Sequence, residues 1–371
     1  MRIHPFLYAL TAALALSACS QDEAQQQLTP KPIRLVSTLD QTPATRAFTA
    51  LNIPNNTRVY VWADMINLSD SRRINYFNTW ALTAKGDGTL ESASTPVEVK
   101  FFPATNKLDL YAMSGSFSGF VFDTANELPT TRGLYHTVRS DQTAESSYYA
   151  SDLLYSQVRG QVPVETAVQL PFYHMLSKVR VVLIPGTGDT TADKYGTVQL
   201  RNATVTLLNL ETRAKLTPKK EAYTNDQFAL QDNRATMIEV APKTDEDDPE
   251  AVFKRDITMQ TISATPNDEG NIATTSYGEA IIVPQEVPAG EFIKVTFEDP
   301  GTGLTHDTYY RFASKFTFES GKQYQFQLTL DRIGDTFTIA PEIKEWAPEK
   351  DPVTNDEVSR PVDFKATDIY D

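Results

Sequence analysis

Residues Tyr324–Leu330 read Tyr-Gln-Phe-Gln-Leu-Thr-Leu, with an apolar side chain at every second position. A period of two belongs to a β-strand with one face on a core and the other in water, because successive side chains leave a strand on opposite sides. Comparable runs recur between Pro, Gly, Asn and Asp punctuation: Ile33–Leu39, Arg58–Ala63, Leu108–Ala112, Ala167–Phe172, Lys178–Ile184, Ala203–Leu208, Glu279–Val283, Phe292–Phe297 and Tyr309–Phe312. No comparably long stretch carries a helical apolar stripe, and Gln142–Ser156 is the best helix candidate. Many short strands with regular turn signals predict an all-β chain of two tandem antiparallel β-sandwich domains. A junction near residues 170–178, between two strong strands, separates an N-terminal sandwich over 47–172 from a C-terminal one over 173–346.

The sandwiches are preceded by an address. Met1 to His4 form a short basic start, and Pro5 to Leu16 an apolar run ending in the small residues Ser17 and Ala18. Such a run is too short to span roughly 30 Å of hydrocarbon as a helix, and residues 1–18 have the layout of a secretory signal. Leu16-Ser17-Ala18-Cys19 matches the bacterial lipobox, in which the peptidase cuts before the cysteine and the thiol carries a diacylglycerol. Cys19 is the only cysteine, so an internal disulfide is excluded and lipid attachment gives the thiol a role. A plain signal-peptidase site with a free thiol is the alternative. Acyl chains contribute about 0.8 kcal/mol per buried methylene, so several of them anchor a chain stably. Cys19 to Pro32 then reads as a flexible polar tether. Its Asp22 and Glu23 fit either a surface-export signal or simple solvation.

Charge and motif content narrow the function. With 34 basic and 48 acidic residues the chain carries a formal charge of −14, which repels nucleic acid and anionic lipid. The acidic run Asp245–Glu250 reads as a solvated loop, since its spacing does not match an EF-hand. Outside the signal, His136, His174 and His306 are widely separated, and His174 lies between apolar residues as a core histidine does. HExxH, G-x-S-x-G, P-loop and GxGxxG patterns are absent, and Gly115-Ser116-Phe117-Ser118-Gly119 places Phe where a nucleophile elbow needs Ser. No catalytic, metal or cofactor site is expected. Trp62, Trp80, Tyr148 and Tyr149 could serve a glycan-binding lipoprotein as sugar platforms, or pack in the core.

Five short blocks carry a resemblance. They are Asp152-Leu153-Leu154-Tyr155-Ser156, the run Phe172–Val179 (FYHMLSKV), Glu279–Gln285 (EAIIVPQ), Phe318–Tyr324 (FESGKQY) and Ile343-Lys344-Glu345-Trp346. In this order, behind a lipobox, they resemble the fimbrillin family of Bacteroidetes pilus subunits. The resemblance covers residues 150 to 346 and is mainly architectural before that. Within the blocks, Gly321 suits the tight turn entering the strand at Tyr324, Pro284 closes a strand because it cannot donate to the ladder, and Trp346 reads as a large core or seam residue.

The resemblance implies transthyretin-like sandwiches, a fimbrial subunit at the cell outer membrane and then in the fimbrium, and assembly with other subunits by strand exchange. An arginine-specific protease would remove the lipidated segment 19–46, with its strand Ile33–Leu39, by cutting between Arg46 and Ala47. A strand from a neighbour would then fill the vacated groove. Residues 347–371 are the candidate donor: Val362, Phe364 and Ala366 alternate with Asp363, Lys365 and Thr367, and Ile369 follows. Arg46 is equally readable as a loop arginine, and the tail as an acidic extension. A stalk, a tip subunit, a lipid-retaining anchor and a glycan binder all remain open at this point.

Overall fold

The computed structural model describes residues 30–39, 52–185, 200–220, 234–241, 254–264, 277–298, 303–330 and 338–345. Their strands are β1 (Leu35–Leu39), β2 (Arg58–Ile66), β3 (Arg73–Ala84), β4 (Thr89–Ser92), β5 (Lys107–Ser114), β6 (Phe117–Ser118), β7 (Leu134–Thr137), β8 (Leu154–Gln161) and β9 (Val168–His174). Then come β10 (Ser177–Pro185), β11 (Leu200–Glu211), β12 (Arg213–Leu216), β13 (Ile238–Val240), β14 (Lys254–Thr258), β15 (Ile262–Ala264) and β16 (Tyr277–Ile282). The last six are β17 (Glu286–Val287), β18 (Gly290–Glu298), β19 (Thr305–Phe312), β20 (Phe316–Thr317), β21 (Lys322–Leu330) and β22 (Thr338–Glu345). The fold is all-β, as the alternation predicts. The helix expected within Gln142–Ser156 is the single turn and a half of α1 (Glu145–Ala150), and the segment's last three residues, from Leu154, open β8.

Seven strands close a barrel in the order β1-β4-β3-β2-β5-β8-β9. Downstream, a sheet β16-β10-β21-β22 and a sheet β14-β11-β18-β19, with β15 on β11, share one hydrophobic core. A smaller sheet, β13-β12-β7-β6, takes strands from both halves of the chain, and β9 runs without a break through residues 172 and 173. Two pairings depart from the antiparallel expectation: β1 lies parallel to β9, and β10 parallel to β21. Parallel neighbours need a long crossover, and both pairs join segments far apart in sequence, which local turn signals do not reveal.

The barrel strands serve two cores at once. Val61 and Ala63 of β2, Leu110 and Ala112 of β5, Leu154 of β8 and Phe172 of β9 fill the barrel. From the opposite faces of the same strands, Trp62, Tyr111, Met113, Tyr155 and Tyr173 enter the second core with Val179, Val181, Phe292 and Phe326. Seven of the eight residues of β5 are therefore buried, and apolar residues fall on both of its faces, interrupted by the buried, ion-paired Asp109. In β3 a bulge shifts the phase. Val61 faces Trp80 while Ala63 faces Phe77, so one extra residue lies on the β3 side. Phe77 before it, and Trp80, Leu82 and Ala84 after it, all point inward in spite of their changed parity.

Candidate functional site

The slot occupied by β1 is built from four short segments. Leu35 and Val36 pair antiparallel with Leu90 and Thr89 of β4, and Leu35 to Leu39 pair parallel with Val168 to Phe172 of β9. Ahead of the strand, Ile33 N–H donates to Lys100 O and Phe102 N–H to Lys31 O, both at 2.8 Å, and Val168 N–H donates to Arg34 O at 2.8 Å. Ser37 N–H donates to Gly88 O at 2.7 Å, and the Ser37 hydroxyl to the same oxygen at 3.2 Å. Lys31 and Glu165 form an exposed ion pair at 3.0 Å.

Alternation sorts the strand's side chains. Ile33, Leu35 and Ser37 are buried, Arg34 is exposed, and Val36 and Thr38 are half-buried. Ile33 and Leu35 belong to the barrel core, each stabilising it by about 1.5–3 kcal/mol as buried aliphatics. Without β1 the barrel would open an apolar trough between β4 and β9, edged by unpaired amides and carbonyls. Such an edge is a template for another strand. At the C-terminal end of β1 the slot gives onto a cleft of about 560 Å³, lined by Leu39, Arg58, Tyr149, Asp152, His174 and Lys178 among others.

The first two sequence blocks line this cleft through Asp152, Leu154, His174 and Lys178, and the others are bonded onto them in turn where the barrel joins the second core. Leu154 and Tyr155 pair with His174 and Tyr173. His174 Nδ1–H donates to the Asp152 carboxylate at 2.8 Å, so this histidine is hydrogen-bonded in the core, as its apolar neighbours imply. Ser320 donates to Met175 O at 2.7 Å, Ser177 to Glu319 O at 2.7 Å, and Gly321 N–H to Leu176 O at 2.8 Å. Gly321 sits at φ +71°, a left-handed conformation that glycine adopts without a Cβ penalty. Gln285, the last residue of the third block, clamps the backbone of β11: its Oε1 accepts from Glu211 N–H at 2.9 Å and its Nε2–H donates to Glu211 O at 3.0 Å. Gln142 does the same at Ile281 on β16, with contacts of 2.8 and 2.9 Å. The Ile343–Trp346 block pairs along β22 as far as Glu345.

A buried ion cluster completes the junction. Glu279 of β16 receives Arg180 Nε–H at 2.7 Å, lies 3.6 Å from Lys178 Nζ, and accepts the Tyr148 hydroxyl at 3.4 Å. Burial by itself would raise its carboxyl, but the Lys178 and Arg180 cations hold it below the ordinary range. His136 is fully enclosed: its Nδ1 accepts from Ser116 N–H at 3.0 Å and its Nε2–H donates to Ser151 O at 2.9 Å. Burial lowers its pKa to about 4, only partly offset by the bond to Ser151, so the ring is neutral at pH 7. These groups tie elements together; of them only Lys178 and Glu279 lie in the sequence blocks, and nothing in the sequence brings Tyr148, Arg180 and His136 to this junction.

Other sequence readings resolve against the geometry. Trp62 and Trp80 are 1% and 5% exposed and Tyr148 is buried, so none of them offers a sugar platform; Tyr149 is half-buried. Phe117 opens no nucleophile elbow but starts β6. Among the described residues no group of three or more His, Cys, Asp or Glu is placed to hold a metal. The carboxylates of Asp64 and Asp109, opposite one another on β2 and β5, are each engaged by a cation: Lys220 at 2.9 Å and Arg73 at 2.8 Å. Cys19, Arg46, Ala47, Val362, Phe364, Ala366 and Ile369, with Trp346 and Asp245–Glu250, lie outside the described residues.

Among the described residues the first strand closes a barrel whose strands also serve a second core, a two-core all-β architecture. The family model described as fimbrillin-like matches residues 45–346, and the chain belongs to that family. Among solved structures, a proposed cell adhesion protein of Bacteroides ovatus is similar over 85% of this chain and 98% of its own, with a TM-score of 0.52 and 18% identity. A fimbrial protein of Bacteroides vulgatus covers 84% of this chain and 99% of its own at a TM-score of 0.45 and 13% identity. The tip fimbrial protein Mfa3 of Porphyromonas gingivalis covers 85% and 99% at a TM-score of 0.42 and 8% identity. No curated protein matches the sequence. Family membership gives the chain a structural, fimbrial role at the cell surface.

Proposed function

We propose that the chain is a stalk or accessory tip subunit of a fimbrium, exported as a lipoprotein on Cys19 and matured by an arginine-specific protease that cuts between Arg46 and Ala47. The lipid holds the precursor at the outer membrane. Cleavage detaches the lipid together with β1, and another subunit's strand refills the slot. The observation that carries this reading is the place of β1. It is a complete strand of the barrel core, yet it lies wholly on the lipidated side of Arg46, seven residues beyond Leu39. A single cut there disconnects a structural strand from the rest of its own fold. The geometry favours refilling, because an empty slot leaves buried positions and two ladder edges unsatisfied.

The test is N-terminal sequencing of the surface-exposed form, combined with limited trypsin digestion of the purified protein. A mature start at Ala47, and a ladder of denaturant-resistant oligomers after trypsin, are the expected results. A lipid-blocked Cys19 on the assembled protein would make it an anchor. A cleaved protein that stays monomeric at every concentration would refute strand exchange.

A further inference from the structure

Apolar exposure is concentrated at one end of the barrel. Of the eight large apolar side chains exposed among the described residues, six belong to that end: Leu68, Ile74, Val97, Val99, Phe101 and Val162. The register places them there. Ile66, two residues before Leu68, faces Lys107 at the start of β5; Leu108 faces Gln161, next to Val162; and Pro32 bridges to Phe101. The cleft lies at the opposite end, where β1 finishes at Leu39. The segment 97–101 reverses the usual order of a surface strand. Val97, Val99 and Phe101 are 73%, 49% and 43% exposed, whereas Glu98 and Lys100 between them are half-buried and paired at 2.6 Å, with Lys100 Nζ 5.4 Å from the centre of the Phe77 ring. Exposed apolar side chains gathered in one place on a folded chain mark an interaction surface.

The same end is where the tether joins the fold. Ile33 N–H donates to Lys100 O and Phe102 N–H to Lys31 O, so the apolar segment is bonded directly to the residues that lead back towards Cys19. Lys31 follows Cys19 by twelve positions, which span at most about 40 Å even when fully extended. Resting on the lipoprotein reading of Cys19, we infer that this end of the barrel lies on the lipid surface in the precursor, with its exposed apolar side chains seated at the boundary between headgroups and acyl chains. Local charge favours the contact. The chain as a whole carries −14, yet here Lys31 and Lys100 are matched by Glu165 and Glu98, and the exposed Arg72 and Lys107 form no ion pair among the described residues. Cations beside apolar side chains suit a membrane interface, because their stems lie along apolar surface while their heads reach lipid phosphates and water. The contact fixes which end of the precursor meets the membrane. From there β1 runs outward, so the chain beyond Leu39, with Arg46 seven residues on, leaves the barrel at the end turned away from the lipid, where a soluble protease has access.

The test uses the lipidated full-length protein on phosphatidylcholine vesicles. Its one native cysteine carries the lipid, so Val97→Cys and, as control, Leu304→Cys in the β18–β19 connection each supply a single free thiol for an environment-sensitive fluorophore. On vesicles the probe at 97 should shift to the blue and lose emission to nitroxide-labelled lipids, while the probe at 304 should do neither. A probe at 97 that stays as wet as the one at 304, on protein that is vesicle-bound, would overturn the inference and leave the lipoprotein reading intact. A blue shift already present without vesicles would give the surface to protein, this chain's own or a second copy's, and overturn it as well. If the unsubstituted protein takes the label at Cys19 and stays off the vesicles, the lipoprotein reading fails and the inference falls with it.

Discussion

Replacing Leu35 by alanine, with Val36→Ala as its neighbour control, probes whether β1 is a working part of the barrel. Leu35 is 3% exposed and belongs to the barrel core, between Leu90 on one side and Val168 on the other. Truncation removes buried methyl groups and leaves a cavity, a combination that costs about 2–4 kcal/mol for leucine in a packed core. For a cooperative unit of domain size this lowers the Tm by about 4–12 °C. Val36 lies on the other face and is half-buried, so V36A should cost under about 1 kcal/mol. Differential scanning calorimetry on the uncleaved protein measures both variants under the same conditions. In the trypsin-nicked protein, L35A should also release the N-terminal fragment faster than V36A does. Equal effects of the two substitutions would refute the assigned register, because a strand shifted by one residue exchanges its faces. A neutral L35A would refute the claim that the strand fills the core at all.

Three further outcomes follow from named contacts. Gly88→Ala forces a side chain into a left-handed backbone 3.0 Å from Ser37 O, and should destabilise the protein by about 1–3 kcal/mol while loosening β1 in particular, seen as faster amide exchange at Ser37. Glu279→Gln strands Arg180 and Lys178 in the core and should cost about 3–5 kcal/mol by urea denaturation, whereas a surface pair such as Lys315–Glu286 should be nearly silent when broken. On the acid side, His136 has a folded pKa of about 4 against an ordinary 6.5. Its contribution is therefore fully present above about pH 6.5 and is lost progressively as pH falls towards 4, up to about 3 kcal/mol. Glu279, also held low, adds a loss beginning further down, below its ordinary 4.5. Urea midpoints measured from pH 8 to 4 should decline accordingly, and His136→Gln should flatten the upper part of that decline.

Strand existence was legible where one face meets water. Tyr324, Phe326 and Leu328 are buried, with Gln325 and Gln327 half-buried between them, because β21 keeps an unbroken pleat. It was illegible where the pleat breaks or where both faces are covered. In β3 the bulge near Asn78 and Thr79 moves the inward set from odd to even positions, so no fixed period spans its twelve residues. In β22, Pro341 argues against a strand, yet it is tolerated because β22 is the outer strand of its sheet. Ser37 gave no signal of its own, since its buried place depends on the Gly88 carbonyl, which accepts from both its N–H and its hydroxyl and lies fifty-one positions away.

The class of this chain was readable without its structure: period-two runs compel strands, and five ordered blocks resemble the fimbrillin-like family whose model matches residues 45–346. How those strands join was settled by long-range packing. The parallel seating of Leu35–Leu39 against Val168–Phe172, and the meeting of Asp152, His174, Lys178 and Glu279 at one junction, unite residues over a hundred positions apart. Local propensity carries no information about such partners. They are selected by which distant edges and apolar faces can satisfy each other once the chain is compact.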